Sequence, residues 1–335
     1  MTNPPARDVG AAGFPGDAEF DAAPNFRFPY AYLEGFSRFL HEHQDRIRVI
    51  TFADLEFVSG DDYRDHYAAE FSRWKSKVRN TPWMQRTVFV LLQYDVDHLP
   101  EQTVRLMSDQ AKLGLRTNAM IFHRRVSRRW YERHGELREL PYALDRYQLA
   151  RLQAQGCVVG YHNNAYDRSG LDPARAAEIF ASDIAALRQE FDIRFFSPHG
   201  GIRDAEGRSN SAIEPPPALR DSLVWVHNRF GLRFDEQFSD GGLNHSKRDL
   251  RRLNLIDFVS HWRPGHRYRV LLHPQYYGDP VVPAPRLCGL RWYDRLLQAY
   301  AEPANGTDPW HQARMGTSTS RHLLHRLLNV IQRRR

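Results

Sequence analysis

Residues 88–102 read VFVLLQYDVDHLPEQ, a run of β-branched and apolar side chains that ends in Asp95-Val96-Asp97-His98. A continuous apolar run of this kind fits a strand covered on both faces, as in a parallel α/β sheet. Its polar end then belongs at the carboxyl edge of the sheet, where α/β proteins bind ligands. Alternation puts Asp95 and Asp97 on one side of the strand, so both can face one small volume. Carboxylates that close raise each other's pKa unless a cation sits between them. Two readings follow. One is a metal site with an adjacent acid or base. The other is a plain strand end whose Asp97 or His98 caps a helix beginning at Pro100.

Outward from this stretch, strand-like and helix-like segments alternate from about residue 45 to about residue 300. RIRVITFADL (46–55) reads as a strand, and DYRDHYAAEFSRWKSKV (62–78) as an amphipathic helix. After 88–96 come the helix PEQTVRLMSDQAKLGL (100–115), the strand RTNAMIFH (116–123) and the helix ALDRYQLARLQAQG (143–156). CVVGYH (157–162), a helix over 172–191, IRFFSPHGG (193–201), SLVWVHN (222–228) and RYRVLLHPQYYG (267–278) complete the series. Repeated βα units imply a parallel sheet with helices outside it, either open or closed into a barrel.

Composition narrows the class. At 335 residues, 41% hydrophobic and 26% charged, the chain reads as globular, with no apolar run near the roughly 20 residues needed to cross a bilayer. Residues 1–25, rich in Ala, Gly, Pro and Asp, lack the charged-then-apolar order of a secretory signal and read as a disordered leader. Two cysteines make no disulfide framework, and a cytoplasmic location is the expectation. The net charge of +7 owes six arginines to the segment after Asp308, which leaves a body near neutrality and no phosphate-tracking surface, so no nucleic-acid partner is expected. Arg124, Arg125, Arg128, Arg129 and Arg133 are followed closely by Glu132, Glu136 and Glu139 and read as a solvated helix or loop. The expected organisation is the leader 1–25, a catalytic barrel domain 26–305, and a basic tail 306–335. In that tail SRHLLHRLLNVIQRRR (320–335) has the pattern of an amphipathic helix that packs on protein or makes a peripheral contact with an anionic membrane.

The histidines decide more than the helices do. Of 16, six fall at the end of an expected strand: His98, His123, His162, His199, His227 and His273. Chance alone would scatter them, as it does His134 and His261. In a parallel sheet those six ends share one edge, which is how a convergent, metal-capable site would be built.

The order of YDVDHLPE, LGLRTNAMIF, AQGCVVGYHNNAYD, FFSPHGG and VLLHPQYYG over residues 85–280 resembles the polysaccharide deacetylase family (NodB-homology, carbohydrate esterase family 4), in a divergent branch. The resemblance implies a deformed (β/α) barrel, usually of seven strands, and divalent-metal-dependent removal of acetyl groups from N-acetylated sugars, often with zinc. It implies Asp95 as general base, Asp97 and His162 as metal ligands, and His273 as general acid. Asn163 stands at the hydroxyl position of the second motif. Tyr166 stands where that motif has its second histidine, and Ser197 where the third has an arginine before its proline. His199 is the first choice for the missing ligand, because it ends the strand after the one carrying His162; His123 and His227 are reserves, and Asp167 is a further option. Asp240, in FDEQFSDGGLNHS, is either a turn residue or, with Asn163, a polar contact to the substrate.

The expected substrate is an N-acetylated sugar or a surface-polysaccharide precursor. Two-histidine, one-carboxylate coordination suits zinc without excluding iron, cobalt or nickel. A binding-only descendant of the fold is the alternative, since Tyr166 replaces a ligand. A glycosyltransferase also places Asp-x-Asp after a strand, but leaves the strand-end histidines unexplained. A haloacid-dehalogenase-type phosphatase does not fit His98-Leu99 after the aspartates.

Overall fold

A computed structural model of the chain describes residues 28–57, 63–227, 232–240 and 255–278. The expected leader 1–25 and tail 306–335, with its amphipathic helix, lie outside the described residues.

Among the described residues eight parallel strands form the main sheet: β1 Ile47–Ile50, β2 Val88–Val96, β3 Asn118–Ile121, β4 Val158–Asn163, β5 Phe195–Pro198, β6 Val224–Trp225, β7 Glu236–Ser239 and β8 Arg267–Leu272. Seven of them run in one hydrogen-bonded path, β7-β8-β2-β3-β4-β5-β6, and β1 joins from the side by pairing with β2. The architecture is a deformed, open (β/α) barrel. All eight carboxyl ends point the same way, so the residues that close each strand share one rim.

β2 is the centre. All nine of its residues are buried, as its apolar run requires. β8 pairs with Phe89–Tyr94 along one edge, while β1 takes Val88–Leu91 and β3 takes Gln93–Val96 along the other. Between β1 and β3 the carbonyl of Leu92 would have no ladder partner. Asn118 fills that gap: its Nδ2 donates to Leu92 O at 2.7 Å, and its Oδ1 accepts from Phe52 N at 2.9 Å. A buried asparagine is stable there because both ends of its amide are used.

Two further contacts seat the strands that carry the rim residues. Arg267 opens β8 fully buried, forking onto both carboxylate oxygens of Glu70 at 2.6 and 2.5 Å, with its guanidinium over the rings of Phe71, Trp74 and Phe234. In β4, Gly160 lets neighbouring strands close in, since a Cβ there would lie 2.8 Å from Phe195 O and 2.5 Å from Met120 Sδ.

The stretch between β3 and the helix Arg146–Ala154 holds an antiparallel ribbon, Arg125–Val126 with Glu139–Leu140, and the helix Arg128–His134. Its charges pair at the surface, Arg128 with Glu132 at 2.6 Å and Arg124 with Glu139 at 3.5 Å. The helix Tyr30–Glu42, which the strand and helix pattern did not single out, buries Tyr32, Leu33, Phe36, Phe39 and Leu40 on one stripe. Among the described residues no helix is long and apolar enough to cross a membrane.

Gly160→Ala should lower stability by about 1–3 kcal/mol, because the added methyl overpacks against a backbone carbonyl. The urea unfolding midpoint reads this. A midpoint equal to wild type would mean that β4 and β5 have room to separate.

Candidate metal centre

The rim is built from strand ends in spatial order. β7 is followed by Asp240, β8 by His273, and β2 carries Asp95 and ends beside Asp97. β3 is followed by Phe122, β4 contains His162, and β5 is followed by His199. The turn out of β2 is made by Leu99, whose backbone is left-handed (φ 50°, ψ 56°). That conformation is costly for a residue with a Cβ and is a feature of functional turns. Leu99 occupies the N-cap of the helix Pro100–Lys112 with no side-chain cap, so neither Asp97 nor His98 serves as the cap considered above. His98 instead meets the Arg125 guanidinium through its Nδ1.

Asp97 is the focus. Its Oδ1 lies 2.9 Å from His162 Nε2 and 3.8 Å from His199 Nε2, and its Oδ2 lies 3.8 Å from His273 Nε2. One donor atom from each of Asp97, His162 and His199 falls within 4.8 Å of the others. A tetrahedral zinc with bonds of about 2.0–2.1 Å holds its donors about 3.3 Å apart, and the two separations at Oδ1 bracket that value. Asp97 Oδ1 is buried with no hydrogen bond of suitable direction despite the nearby imidazole. A carboxylate oxygen and two ring nitrogens converging without hydrogen bonding each other make a donor set that fits a divalent cation.

Behind the Nε2 atoms, each ring is oriented through Nδ1. His162 Nδ1 lies 2.9 Å from Ser197 Oγ, His199 Nδ1 donates to Asp167 Oδ2 at 3.2 Å, and His273 Nδ1 donates to Asp240 Oδ1 at 2.5 Å. Such partners fix which nitrogen faces the ion and raise its basicity. Phe122 stacks on His162 at 5.1 Å and meets His199 edge-on at 5.2 Å, giving the cluster an apolar wall. Tyr142 holds this wall: its hydroxyl donates to Val96 O at 2.8 Å and accepts from Phe122 N at 3.3 Å.

The electrostatics match. Burial pushes the Asp97 carboxyl up, but His199, His162 and His273 outweigh it and hold it well below the usual carboxylate range. Burial lowers His199, and Asp97 and Asp167 raise it by more. His273 is likewise lowered by burial but carried up to about 10, chiefly by Asp240 and then by Asp97. Asp240 itself is raised by burial, with His273 offsetting part of the rise. The site therefore favours positive charge around Asp97, which protons or a cation can supply.

The other expected residues separate clearly. Asp95 Oδ2 lies 3.9 Å from His162 Nε2, at the border of the cluster. His123 turns away to Asp183 at 2.7 Å. Asp167 serves as the partner of His199 and also accepts from Ile202 N at 2.8 Å. Tyr166, at the position of the family's second histidine, is a core residue whose hydroxyl donates to Asp204 Oδ2 at 2.7 Å. Asn163 and Asp240, expected at the substrate, lie beneath the rim at 0% exposure. Asn163 Oδ1 accepts from Ala165 N at 3.0 Å, and Asp240 spends both oxygens on His273, its Oδ2 accepting from the backbone N at 2.8 Å. Sequence reading missed the pairings Asp240–His273 and Asp167–His199. The strand-end position of Asp240, parallel to that of His273, was the available signal for the first.

No family model matches the chain, and no curated protein matches it. Among solved structures it is similar to a family 4 carbohydrate esterase from Bacillus anthracis. The identity is 10%, the match covers 67% of this chain and 83% of that one, and the TM-score is 0.27. So loose an overlay carries no inference. Fold and site rest on the strand pairing and the distances above.

Zinc should bind the purified chain at one equivalent in calorimetric titration, releasing protons as the imidazoles are deprotonated. Asp97→Ala and His162→Ala should abolish binding, and Asp167→Asn should weaken it about 10–100-fold. Full retention in both alanine variants would remove the assignment.

Proposed function

We propose that this chain is a metal-dependent hydrolase that removes an N-acetyl or related acyl group from a sugar or surface-polysaccharide precursor, with zinc as the best-suited ion. The observation that supports this is the Asp97–His162–His199 cluster flanked by a carboxylate, Asp95, and by an imidazolium, His273.

Amide hydrolysis needs an activated water, a stabilised oxyanion and a proton for the leaving nitrogen. A divalent ion, when bound, lowers the pKa of a coordinated water and polarises the carbonyl. Asp97, His162 and His199 would hold that ion, their rings kept in register by Ser197 and Asp167. Asp95, beside the cluster but outside the triad, is placed to take the proton of the water. His273, kept protonated by the carboxylate of Asp240, is placed to deliver a proton to the nitrogen as the C–N bond breaks. Phe122 walls one side of the site with an apolar ring, which strengthens the interactions between these charges.

Metal analysis combined with acetate release from a panel of N-acetylated monosaccharides, oligosaccharides, nucleotide sugars and lipid-linked sugars tests the reading. Asp95→Asn should keep the metal and lose about 10²–10⁴-fold in turnover. Stoichiometric metal without acetate release from any member of the panel would favour the binding-only alternative.

The acid role has its own pH signature. The protonated form of His273 is the active one and its pKa is raised to about 10, so turnover should persist through neutral pH and fall only as pH rises toward that value. Asp240→Asn removes the carboxylate that raises it, and should move the alkaline limb down toward the ordinary imidazole value of 6.5. An unmoved limb would take His273 out of the acid role.

A further inference from the structure

The inner face of β2 and the residue just past its end carry three polar residues in a row. Gln93, Asp95 and Asp97 alternate onto one side, Gln93 lying one step deeper than Asp95. Gln93 is 0% exposed in the middle of a strand buried along its whole length. A primary amide survives there only with both ends satisfied.

Its partners are specific. Gln93 Oε1 accepts from an Arg269 terminal nitrogen at 2.7 Å, and Gln93 Nε2 donates to Asp95 Oδ1 at 2.5 Å. Arg269 comes from β8, where Leu271 lies opposite Gln93 and Arg269 opposite Leu91. It is 4% exposed, with its guanidinium 5.9 Å from the Phe52 ring and a second donation to Val226 O at 3.4 Å. A guanidinium only donates and an ionised carboxylate only accepts, so an amide between them has one permitted orientation. The oxygen must face Arg269 and the nitrogen must face Asp95. One carboxylate oxygen of Asp95 is thereby occupied from below, and the other, Oδ2, is the one that faces His162 and the cluster.

We propose that Gln93 and Arg269 are positioning residues for Asp95, a buried guanidinium–amide–carboxylate chain that sets the plane of this carboxylate and presents Oδ2 to the reacting water. The functional part of this inference rests on Asp95 being the proton acceptor proposed above; the geometric part does not. The chain accounts for two polar residues that the metal cluster leaves unused. It also distinguishes the two aspartates of one strand. Asp97 is held by imidazoles from neighbouring strand ends, whereas Asp95 is held from beneath by its own strand and β8.

Arg269→Met alone would leave the buried Gln93 Oε1 without its donor, and Gln93→Met alone would leave a buried charge, so either can fail to fold. The double variant Gln93→Met/Arg269→Met removes both polar groups together and keeps the volume filled. It is compared with wild type and Asp95→Asn in bound zinc, in acetate release from penta-N-acetylchitopentaose, and in a crystal structure. The double variant should bind zinc like wild type, show a rotated Asp95 carboxylate, and lose about 10²-fold in kcat with KM little changed, the cost of a misplaced reacting group. An Asp95 carboxylate in the wild-type orientation in the variant's structure overturns the inference, as does wild-type turnover by the variant where Asp95→Asn is inactive. If Asp95→Asn and wild type release acetate equally, or neither releases it from any member of the panel above, the acid–base reading of Asp95 fails. The carboxylate orientation in the double variant then still decides the positioning chain.

Discussion

The structure depends on one electrostatic constraint: a fully buried strand ends in carboxylates that need positive partners. Asp97 is largely withdrawn from water: it follows a strand buried along its length, its side chain is 14% exposed, and its Oδ1 is buried. It cannot be neutral at low cost, since three imidazoles stand around it. The polar residues that meet at Asp97 can be understood as an answer to that charge. His162, His199 and His273 supply the positive partners, or the ligands of an ion that replaces them. Ser197, Asp167 and Asp240 hold those rings with their Nε2 atoms facing Asp97.

The layering has a physical consequence for precision. The histidines are not held by loops alone. His162 lies within β4, and His199 and His273 follow immediately on β5 and β8, so each inherits its position from ladder hydrogen bonds. The second layer comes from different elements again, including the short helix Ala165–Arg168 for Asp167 and the end of β7 for Asp240. A side chain fixed by its own strand and by a partner from another element has little freedom to rotate. Metal sites and general acids need that rigidity.

Burying this much charge is expensive, and the protein confines it to well-paired groups. Glu70 and Arg267 form a two-pronged pair at 0% side-chain exposure near the amino end of the barrel. Arg269, Gln93 and Asp95 form the chain in the middle, and the Asp97 cluster lies at the carboxyl end. β8 contributes Arg267, Arg269 and the following His273 to all three, so it carries polar residues through the barrel interior where a purely apolar strand would pack as well. Replacing such groups by well-packed apolar side chains of similar volume is often neutral or stabilising.

Much of the fold was legible in the chain. The unbroken apolar run of β2, the alternation of strand and helix patterns, and the placing of histidines after apolar runs specify a parallel sheet with a polar carboxyl rim, because periodicity and strand direction are local properties. The pair Asp95 and Asp97 on one side of a strand followed from the two-residue repeat alone. Which histidines converge did not. His123 and His199 both end strands, yet one turns to Asp183 on a helix and the other to Asp97 and Asp167, because ring direction depends on neighbours distant in the chain. Likewise Asp240 and Asn163 read in sequence as contacts to the substrate, and only the stacking of strand ends showed that both are buried. The sequence by itself determined which residues reach the rim. The tertiary structure decided which of them meet, because strand order, unlike strand pattern, is set by pairing between segments far apart in the chain.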